Sequence, residues 1–326
     1  MKKPCSIASV TVVYNGAAVL PRQLNALKRQ TRQLDEVIVV DNCSSDQSVN
    51  LLETDFPLVT VLKMPANVGV GGGFSAGLDY AANNKKHDCI WMLDQDSLPA
   101  DDSLERLLEA LDNLEDQGEP LAIVAPLCVN EKTKIAYSGS IWRHGLRKPK
   151  VIDPSPSLLF VDTVISSGTL LRKEAIRQAG LPRADFFMDF VDHEYCLRLR
   201  RHGYRIAIVP ASRIEHVIGN PRTVSAFGFA KAWSSHVPWR EYYMTRNEVF
   251  TIWKYYPDWR TKFAATQRMV RHAMAVLLLG KQKLACLGMM YRGFADGCAG
   301  RLGVRSFDSS KPKREGSAVS KSSPAT

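Results

Sequence analysis

The strongest constraint on the fold is an alternation of short apolar runs with stretches of helical length over the first third of the chain. The apolar runs predict strands at residues 6–14, 36–40, 58–62 and 90–93. The segments between them predict helices at residues 18–30, 46–53, from a glycine-rich turn at 67–73 to about 83, and around 104–114. Strands that alternate with helices predict a parallel sheet built from right-handed crossovers, and therefore an α/β fold.

Polar residues follow these strands at the points where they end. Asn15 and Asp41 follow the first two strands, and the glycine-rich turn follows the third. The fourth strand runs into Asp94 and Asp96 in the sequence CIWMLDQDSLP. Ligands of such sheets bind beyond the carboxyl ends of the strands, so we expect all of these groups to meet at one edge.

The two acids at this edge have three possible roles on residue type alone. A buried carboxylate is costly unless it is paired, hydrogen-bonded or bound to a metal. Asp94 and Asp96 are therefore expected where the strand leaves the core. There they could be solvated, cap the next helix or hold a divalent cation.

The glycine-rich segment Gly69–Gly73 is also open to more than one interpretation. A nicotinamide cofactor is disfavoured, because its glycine fingerprint would follow the first strand rather than the third. The segment could be a tight turn without a ligand. Beside two acids, a loop of exposed backbone N–H groups suits a phosphorylated sugar nucleotide.

The pattern changes after residue 120. Further strands are predicted at 121–126, 161–167 and 204–209, a helix is predicted at 192–201, and the pattern is helical from 240 to 298. A Ser-, Lys- and Pro-rich end predicts a disordered tail. We expect a first domain at 1–220, a helical C-terminal extension at 221–303 and a disordered tail at 304–326.

The formal charge of +10 is concentrated in the C-terminal helical part. Residues 260–301 hold eight Lys and Arg against the single acid Asp296, a charge of +7. The stretch 272–290 does not meet the requirement of about 20 apolar residues for a membrane span, because two lysines interrupt it. Its composition favours a helix on an anionic membrane surface, with apolar contact from Val276–Leu279. The alternative is a helix packed on the first domain with a solvated basic face. Nucleic acid is disfavoured, because no recognisable module is present.

Seven scattered cysteines without any C-x-x-C spacing indicate reduced, buried residues in a cytosolic protein and no zinc site. The N-terminal sequence MKKPCSIASVTVVYN predicts a first strand rather than a signal peptide, because its apolar part is short and lacks a cleavage site.

Taken together, the motifs resemble a family of known enzymes, the family 2 glycosyltransferases of the GT-A fold. The resemblance covers about residues 6–220 and rests on an ordered set of motifs: Val-Val-Tyr-Asn15, Val-Val-Asp41-Asn, Asn67-x-Gly-x-Gly-Gly-Gly, Leu-Asp94-Gln-Asp96-Ser, Phe-Val-Asp192-His-Glu194 and Gly203-Tyr. It implies a Rossmann-like mixed sheet that binds a nucleotide-diphospho-sugar, followed by the helical C-terminal extension.

Within this family the chain is most similar to bacterial rhamnosyltransferases and galactofuranosyltransferases. That similarity rests on Asp94-Gln-Asp96-Ser, Asp189-x-x-Asp192-x-Glu194-Tyr-Cys-Leu-Arg198, Arg240-x-Tyr-Tyr243-x-x-Arg246-Asn247 and Asp296-Gly-x-x-Gly-Arg-Leu-Gly303. Ser75 departs from the asparagine of many members, which we expect to be tolerated.

The resemblance implies a role for each residue at the sheet edge. Asp96 would bind Mg²⁺ or Mn²⁺ bridging the diphosphate, and Asp94 would bind the ribose, or the metal through water. Asp41 would pair with the pyrimidine N3–H, or merely cap the next helix. His216 would complete the metal site or be an ordinary polar residue. The remaining contacts to the nucleotide sugar would come from Asn15, Asn67, Gly71 and Gly72.

The resemblance also implies the groups that handle the acceptor. Asp192 would be the general base, and Asp189 and Glu194 would orient the acceptor or a partner arginine. The alternative is that these acids form ion pairs with Arg198, Arg200 or Arg201. Arg240, Tyr243 and Arg246 would contact the acceptor or the diphosphate, or else tie the C-terminal helices to the sheet.

The function implied by the resemblance is an inverting, metal-dependent transfer of L-rhamnose from dTDP-rhamnose to a lipid-linked or polysaccharide acceptor. The pathway would be bacterial surface-glycan synthesis, such as O-antigen assembly, in the cytoplasm or peripherally on the inner face of the cell membrane. UDP-galactofuranose is the alternative donor. A catalytically silent scaffold that binds sugar nucleotides is the alternative of another class. The acceptor, the linkage and the oligomeric state stay open.

Overall fold

The computed structural model describes residues 5–131, 136–137, 139–143, 146–149, 158–216, 222–226, 229–233, 236–280 and 282–307. The strands are β1 Ile7–Val13, β2 Glu36–Asp41, β3 Thr60–Lys63, β4 Cys89–Asp94, β5 Leu98–Pro99, β6 Leu121–Asn130, β7 Ala136–Tyr137, β8 Ser140–Arg143, β9 Leu146–Pro149, β10 Leu159–Val161, β11 Leu170–Arg172, β12 Arg205–His216, β13 Arg222–Ala226 and β14 Phe229–Trp233. The α-helices are α1 Leu20–Lys28, α2 Ser48–Asp55, α3 Gly69–Asp79, α4 Ser103–Asp116, α5 Lys173–Ala179, α6 Val191–Arg201, α7 Pro238–Tyr255, α8 Trp259–Leu279 and α9 Lys283–Cys298.

Ten of the described strands form one mixed sheet. Its order is β10-β12-β6-β11-β4-β1-β2-β3, with β5 added to β12 and β7 added to β6. The pairs β1–β2, β2–β3, β1–β4 and β6–β12 are parallel, whereas β11 runs antiparallel to β4 and to β6. The parallel pairs bring the carboxyl ends of β1, β2 and β4 to one edge, as predicted from the strand–helix alternation.

Helices cover both faces of the sheet. On one face the buried side chains come from β1, β2, α3 and α6, among them Val10, Ile38, Phe74 and Leu199. On the other face they come from β2, β4, α1 and α4, among them Val39, Leu93, Leu24 and Leu107. Burying one such side chain stabilises the fold by about 1.5–3 kcal/mol, so packing on both faces holds the strands and their ends in fixed positions.

The glycine-rich turn that the sequence predicted is the start of a helix instead. Gly69 is the first residue of α3, and Gly71 and Gly72 lie buried within that helix. Glycine is a poor helix former, which is why the sequence pattern favoured a turn. Tertiary contacts decide otherwise, because a Cβ on Gly73 would lie 2.5 Å from a methyl group of Val12 in β1.

Two further predictions about strands need correction. The strand predicted at 161–167 ends at Val161, and the chain then turns at Gly168, whose φ is +80°, to enter β11. The strand predicted at 204–209 continues to His216, with a shift in register between Val209 and Arg213. A proline such as Pro210 usually marks the end of a strand, because it cannot donate a hydrogen bond to a neighbouring strand. Here the shift in register accommodates it.

The C-terminal helices α7, α8 and α9 confirm the helical pattern expected for 240–298. Among the residues that the structure describes, no helix is both long enough and apolar enough to cross a bilayer. All seven cysteines are free of disulfides; Cys43 and Cys298 are exposed and Cys5 is half-buried, so the expectation of buried cysteines is wrong for these three.

Candidate functional site

Two adjoining cavities lie at the carboxyl ends of β1, β2 and β4. The large cavity, of about 790 Å³, has walls that include Asn42, Asn67, Asp94, Gln95, Phe187 and Arg305. The small cavity, of about 260 Å³, has walls that include Asp94, Ser166, Asp189, Asp192, His216 and Arg240. Asp94 and Val70 belong to both, so a ligand in the large cavity can reach the acids of the small one.

A third cavity, of about 1050 Å³, lies beside α1, β5 and β12. It is the most voluminous of the three, but none of the residues singled out from the sequence lines it. The acids at the sheet edge therefore place the site at the two smaller cavities.

A tight turn after β4 presents Asp94 and Asp96. The Asp94 N–H donates to Ser97 Oγ at 3.1 Å, and the Ser97 N–H donates back to the Asp94 carbonyl at 3.0 Å. The following helix α4 has Asp102 at its N-cap position, so neither acid caps it. Of the three roles open to these acids, helix capping is therefore excluded.

An imidazole lies beside these two carboxylates. His216 Nδ1 is 3.0 Å from Asp96 Oδ1, and His216 Nε2 is 3.7 Å from Asp94 Oδ2. The antiparallel pairing of Leu98 in β5 with Glu215 in β12 holds His216 next to the turn. The family resemblance implied this neighbourhood, and the extension of β12 beyond its predicted end brings it about.

The electrostatics of the three groups are coupled. Burial raises the pKa of Asp94 to about 6; His216 opposes this shift, and the like charges of Asp96 and Asp192 add to it. Burial lowers the pKa of His216, but its contact with Asp96 and the charges of both aspartates outweigh burial and raise it above its ordinary value. The cluster thus combines an excess of negative charge with a histidine whose charged form that charge favours.

Asp192 lies in the small cavity close to this cluster. It is the second residue of α6, and its Oδ1 accepts the N–H of His193 at 2.7 Å. Asp189 lines the same cavity, but its carboxylate accepts two bonds from Arg240, at 3.1 and 3.0 Å. The predicted base and the predicted orienting acid therefore differ in environment, since an arginine neutralises Asp189.

The buried Glu194 lines neither cavity. Glu194 accepts a bond from Arg198 Nη2 at 3.1 Å and another from the Tyr255 hydroxyl. On a helix it lies two residues beyond Asp192 and so points away from Asp192's face. Contact with an acceptor is wrong for Glu194, whereas the alternative role, holding a partner arginine, matches its position.

Arg246 is likewise buried rather than open to a substrate. Its guanidinium donates to the carbonyls of Asp185, Phe186 and Gly303 at 3.0, 3.0 and 2.6 Å. The predicted contact with acceptor or diphosphate is therefore wrong, and a tying role within the protein is the correct alternative. Arg240 does line the small cavity.

The predicted nucleotide contacts are only partly brought together. Asn67 lines the large cavity and accepts the Gly69 N–H at 2.9 Å. Asn15 and Asp41 lie at the same edge but line neither cavity: Asn15 Oδ1 accepts the Ser45 N–H at 2.8 Å, and the buried Asp41 accepts the Ser44 N–H. A direct role for these two in binding a base stays a prediction.

Gly71 and Gly72 do not offer the exposed N–H groups that the sequence suggested. The Gly71 N–H already donates to the Phe187 carbonyl at 3.0 Å, and both glycines are buried. Gly69 has a φ of +72°, and a Cβ there would lie 2.1 Å from the same carbonyl. These glycines let α3 approach the loop at Phe187, and phosphate binding by their backbone is not supported.

The structure adds site residues that the sequence did not reveal. Phe187, Met188, Trp239, Arg305 and Phe307 line the large cavity. The last two fall in the predicted disordered tail, yet the Arg305 N–H donates to the Tyr243 hydroxyl at 2.8 Å and the Phe307 ring lies 4.9 Å from that of Tyr242. The tail is therefore structured as far as Phe307, and its remainder, 308–326, lies outside the described residues. Trp239 could have been predicted as a site residue, because it is an aromatic directly after the proline that begins α7. Nothing in the sequence around Phe307 indicates that it lines a cavity.

The loop that carries several of these residues is strained. Phe187, Asp189 and Phe190 have φ values of 65°, 55° and 62°, a region that non-glycine residues rarely occupy. Each such residue costs on the order of 1–3 kcal/mol and persists only where its surroundings over-determine it.

Comparison with known proteins agrees with the motifs. A model of the family described as "Glycosyl transferase family 2" matches residues 9–178. The dTDP-rhamnosyl transferase RfbF of Shigella flexneri is 26% identical over 300 residues, which cover 91% of this chain and 97% of that protein. The galactofuranosyltransferase GlfT1 of Mycolicibacterium smegmatis is 30% identical over 206 residues, 60% of this chain and 66% of that protein.

Solved structures show the same architecture. GalNAc-T7, crystallised with UDP, GalNAc and Mn²⁺, aligns with a TM-score of 0.63 and 15% identity over 92% of this chain and 57% of that one. Residues 1–349 of S. aureus TarS, in complex with UDP, align with a TM-score of 0.54 and 12% identity over 94% of this chain and 98% of that one. At these identities the likeness concerns the fold alone, and it confirms the GT-A fold that the motifs implied.

Proposed function

Because the chain belongs to glycosyl transferase family 2, we propose that it is an inverting transferase that moves L-rhamnose from dTDP-rhamnose to a lipid-linked or polysaccharide acceptor in bacterial surface-glycan synthesis. One observation carries this proposal. Asp94, Asp192 and His216, from three separate parts of the sequence, line the small cavity, Asp94 also lines the large one, and Asp96 lies 3.0 Å from His216.

The choice of donor follows from the similar proteins. A relative that matches nearly the whole chain is named a dTDP-rhamnosyl transferase, which favours dTDP-rhamnose. UDP-galactofuranose is the second candidate, because the galactofuranosyltransferase shares a higher sequence identity with this chain than the rhamnosyl transferase does, although over a shorter stretch. The nucleotide would occupy the large cavity, with Asn67 and Asp94 as polar contacts, and the sugar would point toward the small cavity.

The donor set at the junction of the cavities fits a hard divalent cation. His216 Nδ1 is buried without a well-aligned hydrogen bond, and two carboxylates lie within 3.7 Å of the ring. Within the described residues, however, no group of three or more His, Cys, Asp or Glu side chains is arranged to hold a metal ion. Mg²⁺ and Mn²⁺ suit such an incomplete set, because Mg²⁺ typically takes one or two carboxylates and completes its shell with phosphate oxygens and waters.

Asp96 and His216 would hold Mg²⁺ or Mn²⁺ directly, and Asp94 would hold it through water or bind the ribose. When bound, the cation neutralises the negative charge that grows on the departing nucleoside diphosphate.

Asp192 would act as the general base. Among the described residues, its hydrogen-bond partner is the backbone N–H of His193, whereas Arg240 binds the carboxylate of Asp189. Asp192 is therefore freer to take the proton of an acceptor hydroxyl as that oxygen attacks the sugar carbon. A positioned base of this kind contributes about 10²–10⁴-fold to the rate. Asp189, with Arg240, would orient the acceptor.

A membrane surface would bring the enzyme to a lipid-linked acceptor. Helix α8 packs inward through Ala265, Met269 and Val276, and the buried position of Val276 corrects its predicted outward role. Its opposite face is an exposed apolar stripe at helical spacing, formed by Trp259, Phe263, Val270, Met274, Leu277 and Leu278. The exposed Arg260 and Arg271 flank the stripe, and Lys283 follows it.

An apolar stripe bordered by cations fits the interface of an anionic bilayer, where apolar side chains enter the headgroup region and cations remain near lipid phosphates. We therefore place the enzyme in the cytoplasm, bound peripherally to the inner face of the cell membrane through α8.

A panel of sugar nucleotides tests the proposed reaction. The purified protein is supplied with Mn²⁺, lipid-linked glycans extracted from bacterial membranes as acceptors and each donor in turn, and release of nucleoside diphosphate is measured. Faster release from dTDP-rhamnose than from the other donors supports the proposal, and preference for UDP-galactofuranose selects the second candidate. Tight binding of nucleotides without release from any donor would support the silent scaffold and overturn the transferase.

A further inference from the structure

The loop between α5 and α6, residues 183–190, forms part of the wall of both cavities. Phe187 and Met188 line the large cavity, and Asp189 lines the small one. Helix α6 begins directly after this loop and carries Asp192 in its first turn. The position of the proposed base relative to the donor therefore depends on the conformation of the 183–190 loop.

Two adjacent residues of α7 hold this loop through its backbone. Asn247 Nδ2 donates to the carbonyl oxygens of Phe186, Met188 and Asp189 at 3.0, 2.7 and 2.9 Å. Arg246 Nη2 donates to the carbonyl oxygen of Asp185 and to the same Phe186 carbonyl oxygen. Both side chains are fully buried, so water does not compete for these carbonyls.

The two side chains also fix one another. Arg246 Nε donates to Asn247 Oδ1 at 2.9 Å, which turns the amide so that its N–H₂ end faces the loop. Arg246 Nη1 reaches the Gly303 carbonyl at 2.6 Å, next to the segment that carries Arg305. One buried pair thus ties the loop and the C-terminal segment of the large cavity to a single helix.

The loop is held from its other side as well. The Phe187 carbonyl accepts the Gly71 N–H of α3, and the carboxylate of Asp189 pairs with Arg240 of α7. Arg240 and Asn247 are seven residues apart, so they lie on one face of α7 and act on consecutive parts of the loop. These bonds over-determine a backbone that has positive φ at Phe187, Asp189 and Phe190.

We propose that Arg246 and Asn247 are positioning residues, which hold the 183–190 loop in its strained form and thereby set Asp192 against the donor sugar without touching either substrate. The inference rests on the proposed function, because Asp192 is its base. Without the carbonyl bonds the positive-φ residues would relax toward ordinary conformations and carry the start of α6 with them. A displacement of about 1 Å at a catalytic group can cost about 10²-fold in rate.

Asn247→Asp tests the proposal with little change in shape. The substitution keeps the acceptor for Arg246 Nε but turns an oxygen toward the three loop carbonyls. We expect kcat with dTDP-rhamnose to fall by about 10²-fold. The dissociation constant of dTDP should stay within about threefold, with full binding stoichiometry, because the lost effect belongs to the transition state.

Thr251→Val is the matched control. Thr251 is fully buried one turn further along α7, and its hydroxyl has no hydrogen-bond partner among the described residues. Its kcat should stay within about twofold of the wild type. An equal loss of kcat in both variants, or an unchanged kcat per nucleotide-binding site in Asn247→Asp, would overturn the proposal.

Two further measurements keep the inference separate from folding and from the proposed reaction. If Asn247→Asp does not fold, Arg246→Lys is assayed in the same way, since lysine keeps the charge but lacks the planar fork that bonds two carbonyls. If the wild type releases no dTDP, the proposed reaction fails. Amide hydrogen exchange of residues 183–190 then tests by itself whether Arg246 and Asn247 hold the loop. Faster exchange of the loop in Asn247→Asp than in Thr251→Val supports this holding role, and equal exchange in the two variants overturns it.

Discussion

Nδ1 of His216 lies 3.0 Å from Oδ1 of Asp96, which joins the far end of β12 to the turn after β4. Asp94 lies on the other side of the same ring. The three groups offer oxygen and nitrogen donors, but among the described residues no three such side chains are arranged to hold a metal ion by themselves. A nucleoside diphosphate would supply the missing oxygens, so binding of cation and nucleotide should depend on one another.

Asp96→Ala should abolish transfer and weaken binding of dTDP in the presence of Mn²⁺, because the variant lacks a direct ligand of the cation. Calorimetric titration with dTDP, with and without Mn²⁺, measures the metal-dependent part of the affinity. Asp101→Ala is the control, since Asp101 is an exposed acid of the following turn that pairs with Arg29 and lines neither of the two site cavities. Unchanged metal-dependent affinity in Asp96→Ala would rule out the metal role.

Asp192→Asn should lower turnover by about 10²-fold or more, the low end expected for loss of a general base, while donor affinity survives. The amide keeps the shape of the carboxylate but cannot accept the proton. Single-turnover measurements of sugar transfer separate this chemical step from nucleotide binding.

Asp189→Asn is the informative comparison for that variant. It weakens the pair with Arg240 and should raise the KM for the acceptor more than it lowers kcat. Near-wild-type turnover in Asp192→Asn, together with loss of turnover in Asp189→Asn, would transfer the role of base to Asp189.

The sequence predicted the sheet edge because its evidence there is local. An apolar run that ends on an acid, such as Asp41 or Asp94, predicts both a buried strand and the point at which that strand leaves the core. The positions of β1, β2 and β4 and of the acids at their ends could therefore be predicted from the sequence pattern. The confirmed GT-A fold followed from the order of those motifs.

What the sequence could not predict depends on contacts between distant segments. The Phe187 carbonyl approaches Gly69 and accepts the Gly71 N–H at the start of α3, and this contact has no sequence signature. Phe307 lies in a Ser- and Lys-rich end and becomes a wall of the large cavity only by packing on Tyr242. The sequence alone suggests that Arg246 binds an anion, because it does not reveal that backbone carbonyls occupy its guanidinium group.

The pair of His272 in α8 and Glu241 in α7 should make stability depend on pH. His272 Nε2 lies 2.9 Å from Glu241 Oε2, and this bond raises the pKa of His272; burial opposes the shift, and the charge of Glu248 adds to it. A raised pKa in the folded state means that the stabilisation is complete below the ordinary value of about 6.5 and is lost as pH rises through the folded value.

His272→Gln should therefore reduce the free energy of unfolding more at about pH 5.5 than at about pH 9. Urea denaturation at the two pH values measures the difference. His202→Gln, at an exposed position after α6, is the control for loss of a histidine away from this pair. An equal loss at both pH values in His272→Gln would mean that the pair acts through packing alone.

The outer face of α8 should bind anionic vesicles by two separable forces. Each basic residue near such a surface contributes about 1 kcal/mol, and the effect fades within a Debye length of about 8–10 Å. Apolar contact from Phe263 and Leu278 adds a part that salt does not screen. The wild type should therefore sediment with vesicles rich in anionic lipid, and high salt should release only part of it.

Variants separate the two forces. The triple change Arg260→Gln, Arg271→Gln and Lys283→Gln should remove the salt-sensitive part, whereas Phe263→Gln with Leu278→Gln should remove the salt-resistant part. A control that neutralises three exposed cations elsewhere, Lys85, Lys86 and Arg106, should bind like the wild type. Arg268 is left unchanged, because it faces inward and its Nε donates to Glu248 at 2.9 Å. If the wild type ignores anionic vesicles, α8 is a helix that faces water and the acceptor must reach the enzyme in another way.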